Sequence, residues 1–444
     1  MAEIQRASRQ ELFGWAMFDF ANSSYTTVII TVVFCIIFPK LIVGDGPEYR
    51  LGNLLWSTSL SISYLIVLLS VPLIGAIMDY SGSKKKFLVG SCLITVIATA
   101  ALFFVSPGDI IMGMLLIILS NIGFSYSESF ISSFLPSLGP ASDLGKISGY
   151  AWGLGYFGGL LSTAIVIFGL GASVYTIENF SNLRLVGPVT GLFFLVAAIP
   201  TFLWVKENSL PRELPQGENY FTMGLKRLKK TFLDIRDYKE LMILLASFFF
   251  AYAGLSIVIS FAFIYGDQII KWSGTTQILM FVITQFTAAA GAFLFGIIQD
   301  KWKAKYTFIL TLVLWILAVT LIYAVRQVTA LTNNLMDVSI KEEHVFLVIG
   351  SIAGLGLGST QSACRAMVGL FSPDTKAGEF FGLWSFTGRL SSILGLMGLG
   401  LLQTVFGLQK AILVCSVFFF LAAIIVLFVD EERGKMIAHA HAGE

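Results

Sequence analysis

The strongest constraint in this chain is a recurrence. Stretches with no charge, or almost none, return about a dozen times between short polar breaks, at approximately 12–43, 52–79, 87–106, 109–137, 147–170, 184–205, 241–266, 275–299, 306–325, 344–370, 378–403 and 408–429. Each is near the ~20 residues that a helix needs to cross a bilayer. Continuous apolar runs predict helices rather than the alternating strands of a membrane barrel, because each segment in lipid must satisfy its own backbone N–H and C=O groups. With 56% of its 444 residues hydrophobic and 13% charged, the chain has more apolar surface than one water-soluble core can bury. The expected fold class is all-α and polytopic: an integral membrane protein of twelve spanning helices.

The charges that remain orient it. Twenty of the 29 Lys and Arg residues fall on the side that would hold both termini, seven fall on the other, and two, Arg365 and Arg389, lie inside apolar runs. The positive-inside rule then places both termini in the cytoplasm; a bacterial inner membrane is the location expected from the short termini and from the resemblance given below. A net charge of +2 leaves no basic domain that would call for nucleic acid. Cys35, Cys92, Cys364 and Cys415 are scattered singly through apolar segments, the pattern of packing residues and not of disulfides or a metal site. The opening "MAEIQRASRQELFGW" lacks the short apolar core and cleavage site of a signal peptide, so the first run is expected to stay as a helix. His439 and His441 in "AHAHAGE" have no third ligand at suitable spacing, and the stretch reads as a frayed, solvated tail. No cofactor is implied. An intramembrane enzyme is disfavoured, since no nucleophile, base and oxyanion set converges on neighbouring helices.

The longest polar break, 206–240, divides the chain into a first half at 1–205 and a second at 241–430, with a tail at 431–444. Within the break Phe221, Leu225, Leu228, Phe232 and Ile235 recur at helical spacing, with Lys226, Arg227, Lys229 and Lys230 on the other sides. A surface helix joining the halves is the reading preferred over one with a regulatory lipid role on the inner leaflet.

The halves repeat. Gly75-x-x-x-Asp79 is echoed by Gly296-x-x-x-Asp300, each followed by lysines. At a constant offset of 233, Gly145, Gly149 and Gly155 fall on Gly378, Gly382 and Gly388, while Asn121, Ser125, Glu128 and Ser132 fall on Gly354, Gly358, Gln361 and Arg365. Parallel repeats of this kind are built into transporters that rock one half against the other.

The pattern Gly75-x-x-x-Asp79-x-x-Gly82-x-Lys84 resembles the signature loop of the major facilitator superfamily, with "GIIQDKWKAK" as its weaker copy. Four further stretches, "GWAMFDFANSSY", "GKISGYAWGLGYFGG", "GLGLGSTQSACRAMVGLFSP" and "EFFGLWSFTGRLSSILG", resemble the vacuole-effluxer branch, which holds the autophagy-related amino-acid effluxers of fungi and their bacterial relatives. That resemblance implies an amino acid or a similarly small polar metabolite as substrate. The sequence departs from it at Ala253, where a polar or acidic residue is expected.

Ionisable side chains at membrane depth are costly and mark function by default. Asp19 shares a face of the first run with Asn22 and Ser23, and Glu128 lies about 15 Å from the cytoplasmic end of the fourth. Arg389 sits roughly 15–18 Å into the eleventh, and Arg365 about 7–10 Å from the cytoplasmic end of the tenth, where snorkelling and substrate contact are equally open. A zwitterion presents a carboxylate that a guanidinium grips and an ammonium that Asp19 or Glu128 meets; an acid paired with an arginine also exchanges protons as its solvation changes. Static salt bridges are the alternative. Tyr25, Trp152, Tyr156, Tyr252, Gln285, Gln361 and Trp384 complete the candidate substrate set, and for any one aromatic plain packing is at least as good a reading. Gly75, Asp79, Gly82, Lys84, Gly296 and Asp300 are assigned to gating, since a carboxylate at a helix end can hold the N-terminus of a neighbouring helix. The expected function is secondary active transport by a monomer acting on a small molecule, with protons as the coupling ion and membrane lipids as surroundings. A cation-coupled sugar symporter is the alternative, and a receptor or lipid-moving protein on the same fold is the alternative of another class.

Overall fold

Apolar runs of this length close their backbone hydrogen bonds within one helix, and the described apolar runs of this chain are helical. The computed structural model describes residues 6–44, 50–172, 175–207, 211–215, 217–233 and 238–440, and among these the regular structure is helical with no strand. Among the described residues twelve helices are long and apolar enough to span a membrane: α1 (Arg9–Val43), α2 (Leu54–Ser81), α3 (Lys84–Phe104), α4 (Ile110–Leu138), α5 (Leu144–Gly169), α6 (Phe180–Trp204), α7 (Lys239–Ile270), α8 (Gly274–Lys301), α9 (Ala304–Tyr323), α10 (Glu342–Phe371), α11 (Asp374–Gln403) and α12 (Leu408–Leu427). Ser8 caps α1, its Oγ accepting the Glu11 N–H at 3.1 Å, and Ser273 caps α8 by accepting the Thr276 N–H at 3.2 Å. Inside α1 the helix widens into π-helical turns over Tyr25–Val32 and Phe38–Val43; the second contains Pro39, which has no N–H to give.

By contact, the chain divides into two compact units: Met1–Pro140, Leu154–Phe232 and Pro373–Phe386 form the first, and Ala141–Gly153, Leu233–Ser372 and Thr387–Glu444 the second. The first turns of α5 therefore pack within the second unit, and those of α11 within the first. In the first unit α1 packs on α6, α3 on α4 and α2 on α4. The corresponding neighbours recur in the second, where α7 packs on α12, α9 on α10 and α8 on α10. The repeat seen in sequence is thus a repeat of packing.

Glycines set the closest approaches. A Cβ at Gly158 of α5 would collide with the Phe20 carbonyl of α1, and one at Gly358 of α10 with the Ala288 carbonyl of α8. Among the described residues three helices lie outside the spans: a linker helix (Tyr220–Leu233), Val325–Met336 directly after α9, and Glu431–Ala440. The linker helix matches the periodic stretch read from sequence, although Ile235 lies outside the described residues. The last helix takes in residues 438–440, the described part of the "AHAHAGE" stretch expected to fray. The Lys305 N–H donates to Glu431 Oε2 at 3.0 Å, and Gly434 leaves room for the Phe371 ring, so tertiary contacts order a segment whose composition alone suggests solvation. His441 lies outside the described residues.

Candidate functional site

The carboxylates of the two repeated loops do the same thing in each unit. Asp79, 5% exposed at the end of α2, accepts the Gly378 N–H through Oδ1 at 3.0 Å and the Glu379 N–H through Oδ2 at 2.9 Å. After a 3-10 turn at Asp374–Lys376 the α-helical part of α11 starts at Ala377, so these are N–H groups of its first turn, where the carboxylate supplies both hydrogen bonds and charge at the positive end of the dipole. Gly75, one turn earlier, brings the α2 backbone so close that a Cβ there would overlap the Gly378 carbonyl. Gly82 turns the chain after α2 with φ of 59°, a conformation that costs a side chain energy. Lys84 then comes within 3.8 Å of Asp79, and its Nζ donates to the carbonyls of Ser133 at 3.3 Å and Asp374 at 3.2 Å.

In the second unit Asp300 accepts the Gly145 N–H and the Lys146 N–H, each at 2.9 Å, at the first turn of α5. Adding the offset of 233 to Gly145 and Lys146 lands on Gly378 and Glu379. Gly296 here faces the Gly145 carbonyl, with a Cβ meeting it at 2.7 Å. One sequence repeat has produced two copies of one clamp.

Arg365 does not snorkel. It is 2% exposed within α10, donates through Nε to Ser148 Oγ at 3.0 Å and through an Nη to the Ser148 carbonyl at 3.0 Å, and stacks 5.2 Å from the centre of the Trp152 ring. An arginine this far from water is stable only when such groups replace its hydration. Arg389 is also buried, 9% exposed on α11, and a Cβ at its neighbour Gly388 would meet the Phe248 and Tyr252 rings at 3.6 Å. The half-buried Gln361 donates to the Leu357 carbonyl of its own helix at 3.2 Å, and Gln285 is half-buried on α8.

In the first unit Asp19 and Asn22 are 9% and 7% exposed on α1. Asn22 Oδ1 is buried without a hydrogen-bond partner among the described residues, leaving an acceptor for a bound molecule or water. α5 lies tight against this face, since a Cβ at Gly155 would stand 2.9 Å from Ser23 Oγ and 3.2 Å from the Asp19 carbonyl. Glu128 and Tyr156 are half-buried, and Trp384 is 6% exposed. Tyr25 is wholly enclosed; its hydroxyl pairs with Ser120 Oγ at 2.9 Å and its ring stacks on Phe124.

Three participants escaped the sequence reading. Ser148 anchors Arg365, although nothing in its type or spacing marks it. Glu379 is fully buried beside Asp79, and Arg227 of the linker helix bonds to it at 3.4 Å and to the Thr375 carbonyl. An acidic residue in the first turn of α11 was a visible signal; its partner 152 residues upstream was not.

A family model described as vacuole effluxer Atg22-like matches residues 55–439. The MFS-type transporter YxiO of Bacillus subtilis is 25% identical over 441 residues, covering 98% of this chain and 98% of that protein. Autophagy-related protein 22-1 of Penicillium rubens is 25% identical over 483 residues, covering 90% of this chain and 81% of its own length. Among solved structures, the human organic anion transporter MFSD10 aligns with a TM-score of 0.70 at 15% identity over 94% of this chain and 99% of its own. The proton:xylose symporter XylE aligns with 0.69 at 14% identity over 98% and 97%. At such identities these structures establish the fold alone, that of the major facilitator superfamily.

Proposed function

The chain belongs to the Atg22-like vacuole effluxer family of MFS-type transporters, and on that premise we propose that it moves an amino acid or a related small polar metabolite by alternating access, coupled to protons. The observation that carries this reading is buried charge inside apolar spans. Asp19, Arg365 and Arg389 are each less than a tenth exposed. Such groups are retained at membrane depth where they meet a charged cargo or carry a proton. A guanidinium offers a carboxylate two parallel hydrogen bonds, and a carboxylate offers an ammonium its counter-charge, so this pair of chemistries suits a zwitterion. Asp19 and Glu128 are the proton carriers in this scheme, and Asn22, Trp152, Tyr156, Tyr252, Gln285, Gln361 and Trp384 are the candidate substrate contacts. The clamps at Asp79 and Asp300 serve as gates, with residues 1–205 and 241–430 moving as the two repeats of a monomer.

The distribution of lysines and arginines supports termini in the cytoplasm, and the bacterial relative supports a bacterial inner membrane. Uptake of labelled amino acids into vesicles holding the purified protein, with and without a pH gradient, tests the whole reading. Transport is expected to follow the gradient in the native protein and to lose that dependence in Asp19→Asn or Glu128→Gln. Unchanged gradient dependence in both variants would remove these acids from coupling, and competition by sugars but not by amino acids would replace the substrate class.

A further inference from the structure

The linker helix has a face that transport chemistry leaves unexplained. It is seated on α2 through Gly224, where a Cβ would stand 2.6 Å from Ile77 Cγ1 and 3.2 Å from Leu73 Cδ1. Ile77 is about 6 Å from the end of α2 at the helical rise, so the linker helix lies level with the last turns of that span. From this seat Arg227 reaches Glu379 at 3.4 Å and the Thr375 carbonyl, which tethers the same first turn of α11 that Asp79 caps.

The helix turns a different side outward. Phe221 and Leu225, one turn apart, are 56% and 45% exposed. Beside them Lys226, Lys229 and Lys230 are exposed, and residues 220–233 contain no acidic side chain. Lys226 is engaged by Glu218, whereas Lys229 and Lys230 extend from the surface. An apolar edge flanked by lysines, held level with the end of a spanning helix, is complementary to the headgroup layer of an anionic membrane, where acyl chains and phosphates lie within a few ångströms of each other. A free anion would satisfy the lysines and leave the aromatic edge wet.

We propose that the linker helix docks on anionic lipid headgroups of the leaflet on its own side, and that Arg227 passes this docking to the start of α11. Lipid charge thereby sets how firmly the Asp79 clamp is held. Hydrogen exchange of the full-length protein, in nanodiscs of phosphatidylcholine with and without phosphatidylglycerol, tests both parts without reference to substrate. Amides in 220–233 and at Gly378 and Glu379 should exchange more slowly in the anionic discs, by about fivefold for each lysine engaged. K229Q/K230Q should remove the difference between lipids while leaving exchange in phosphatidylcholine unchanged. R227Q should keep the slowing within 220–233 and lose it at Gly378 and Glu379. Equal exchange in the two lipids, a difference that survives K229Q/K230Q, or the same slowing produced by inorganic phosphate in phosphatidylcholine discs would overturn the docking. Wild-type behaviour of Gly378 and Glu379 in R227Q would overturn the coupling.

Discussion

Replacing Gly75 by Ala should open the clamp at the start of α11 without touching a charged group. The added Cβ would stand 2.7 Å from the Gly378 carbonyl carbon and 3.2 Å from the Glu379 nitrogen, and nearer still to the Gly378 oxygen. Backbone atoms cannot rotate aside as a side chain would, so the first turn of α11 must withdraw by about an ångström. The Asp79 hydrogen bonds start at 3.0 Å and 2.9 Å, and that retreat takes both beyond bonding range. Each hydrogen bond to an ionised acceptor contributes about 1.5–3 kcal/mol. Water returns part of the loss, leaving about 2 kcal/mol, on the order of a 30-fold shift toward the open clamp. Hydrogen exchange at the Gly378 and Glu379 amides reads this opening directly. Asp79→Asn, which keeps one acceptor oxygen, should accelerate the same two amides. Because both changes break one contact, the double variant should fall well short of the sum of the two effects. Unaltered protection in G75A, or full additivity with D79N, would refute the argument that the close approach and the carboxylate form a single device.

Other outcomes follow from the same geometry. Gly296→Ala should act on Gly145 and Lys146 as G75A does on Gly378 and Glu379, and exchange confined to the first turn of α5 would verify the repeat. Arg365→Lys keeps the charge but not the planar grip on Ser148 or the stacking on Trp152, so thermal unfolding should show a loss of about 1–3 kcal/mol; an unshifted transition would mean that Ser148 holds nothing. Tyr25→Phe deletes only the hydrogen bond to Ser120 and should cost about 1 kcal/mol of stability while leaving transport intact. A large fall in substrate affinity in Y25F would instead return Tyr25 to the substrate set.

The number and place of the spans were legible because membrane insertion is close to a one-dimensional criterion: length and hydropathy along a window decide it, and the twelve runs agree with the twelve helices to within a few residues. The internal repeat was legible for a similar reason, since a fixed offset survives in the glycines that helix contact requires. Partners were not. Asp79 carries the local signal of a helix-capping acid, but its donors lie 299 and 300 residues away, and no periodicity links such positions. Arg365 was ambiguous because its distance from the helix end allowed both snorkelling and burial; only the packing of Ser148 and Trp152 around it decides. The helix at 431–440 likewise rests on tertiary contact, through Glu431 and Gly434.

By itself, then, the order of residues determined that this chain must live in a bilayer as two copies of a six-helix pattern, because the energy of placing an uncharged run in lipid depends on little beyond that run. Tertiary structure decided which N–H groups each carboxylate meets, which arginine is enclosed, and that the linker helix reaches the clamp through Arg227. Those contacts depend on distances of a few ångströms between residues far apart in the chain, a quantity that exists only once the helices have packed.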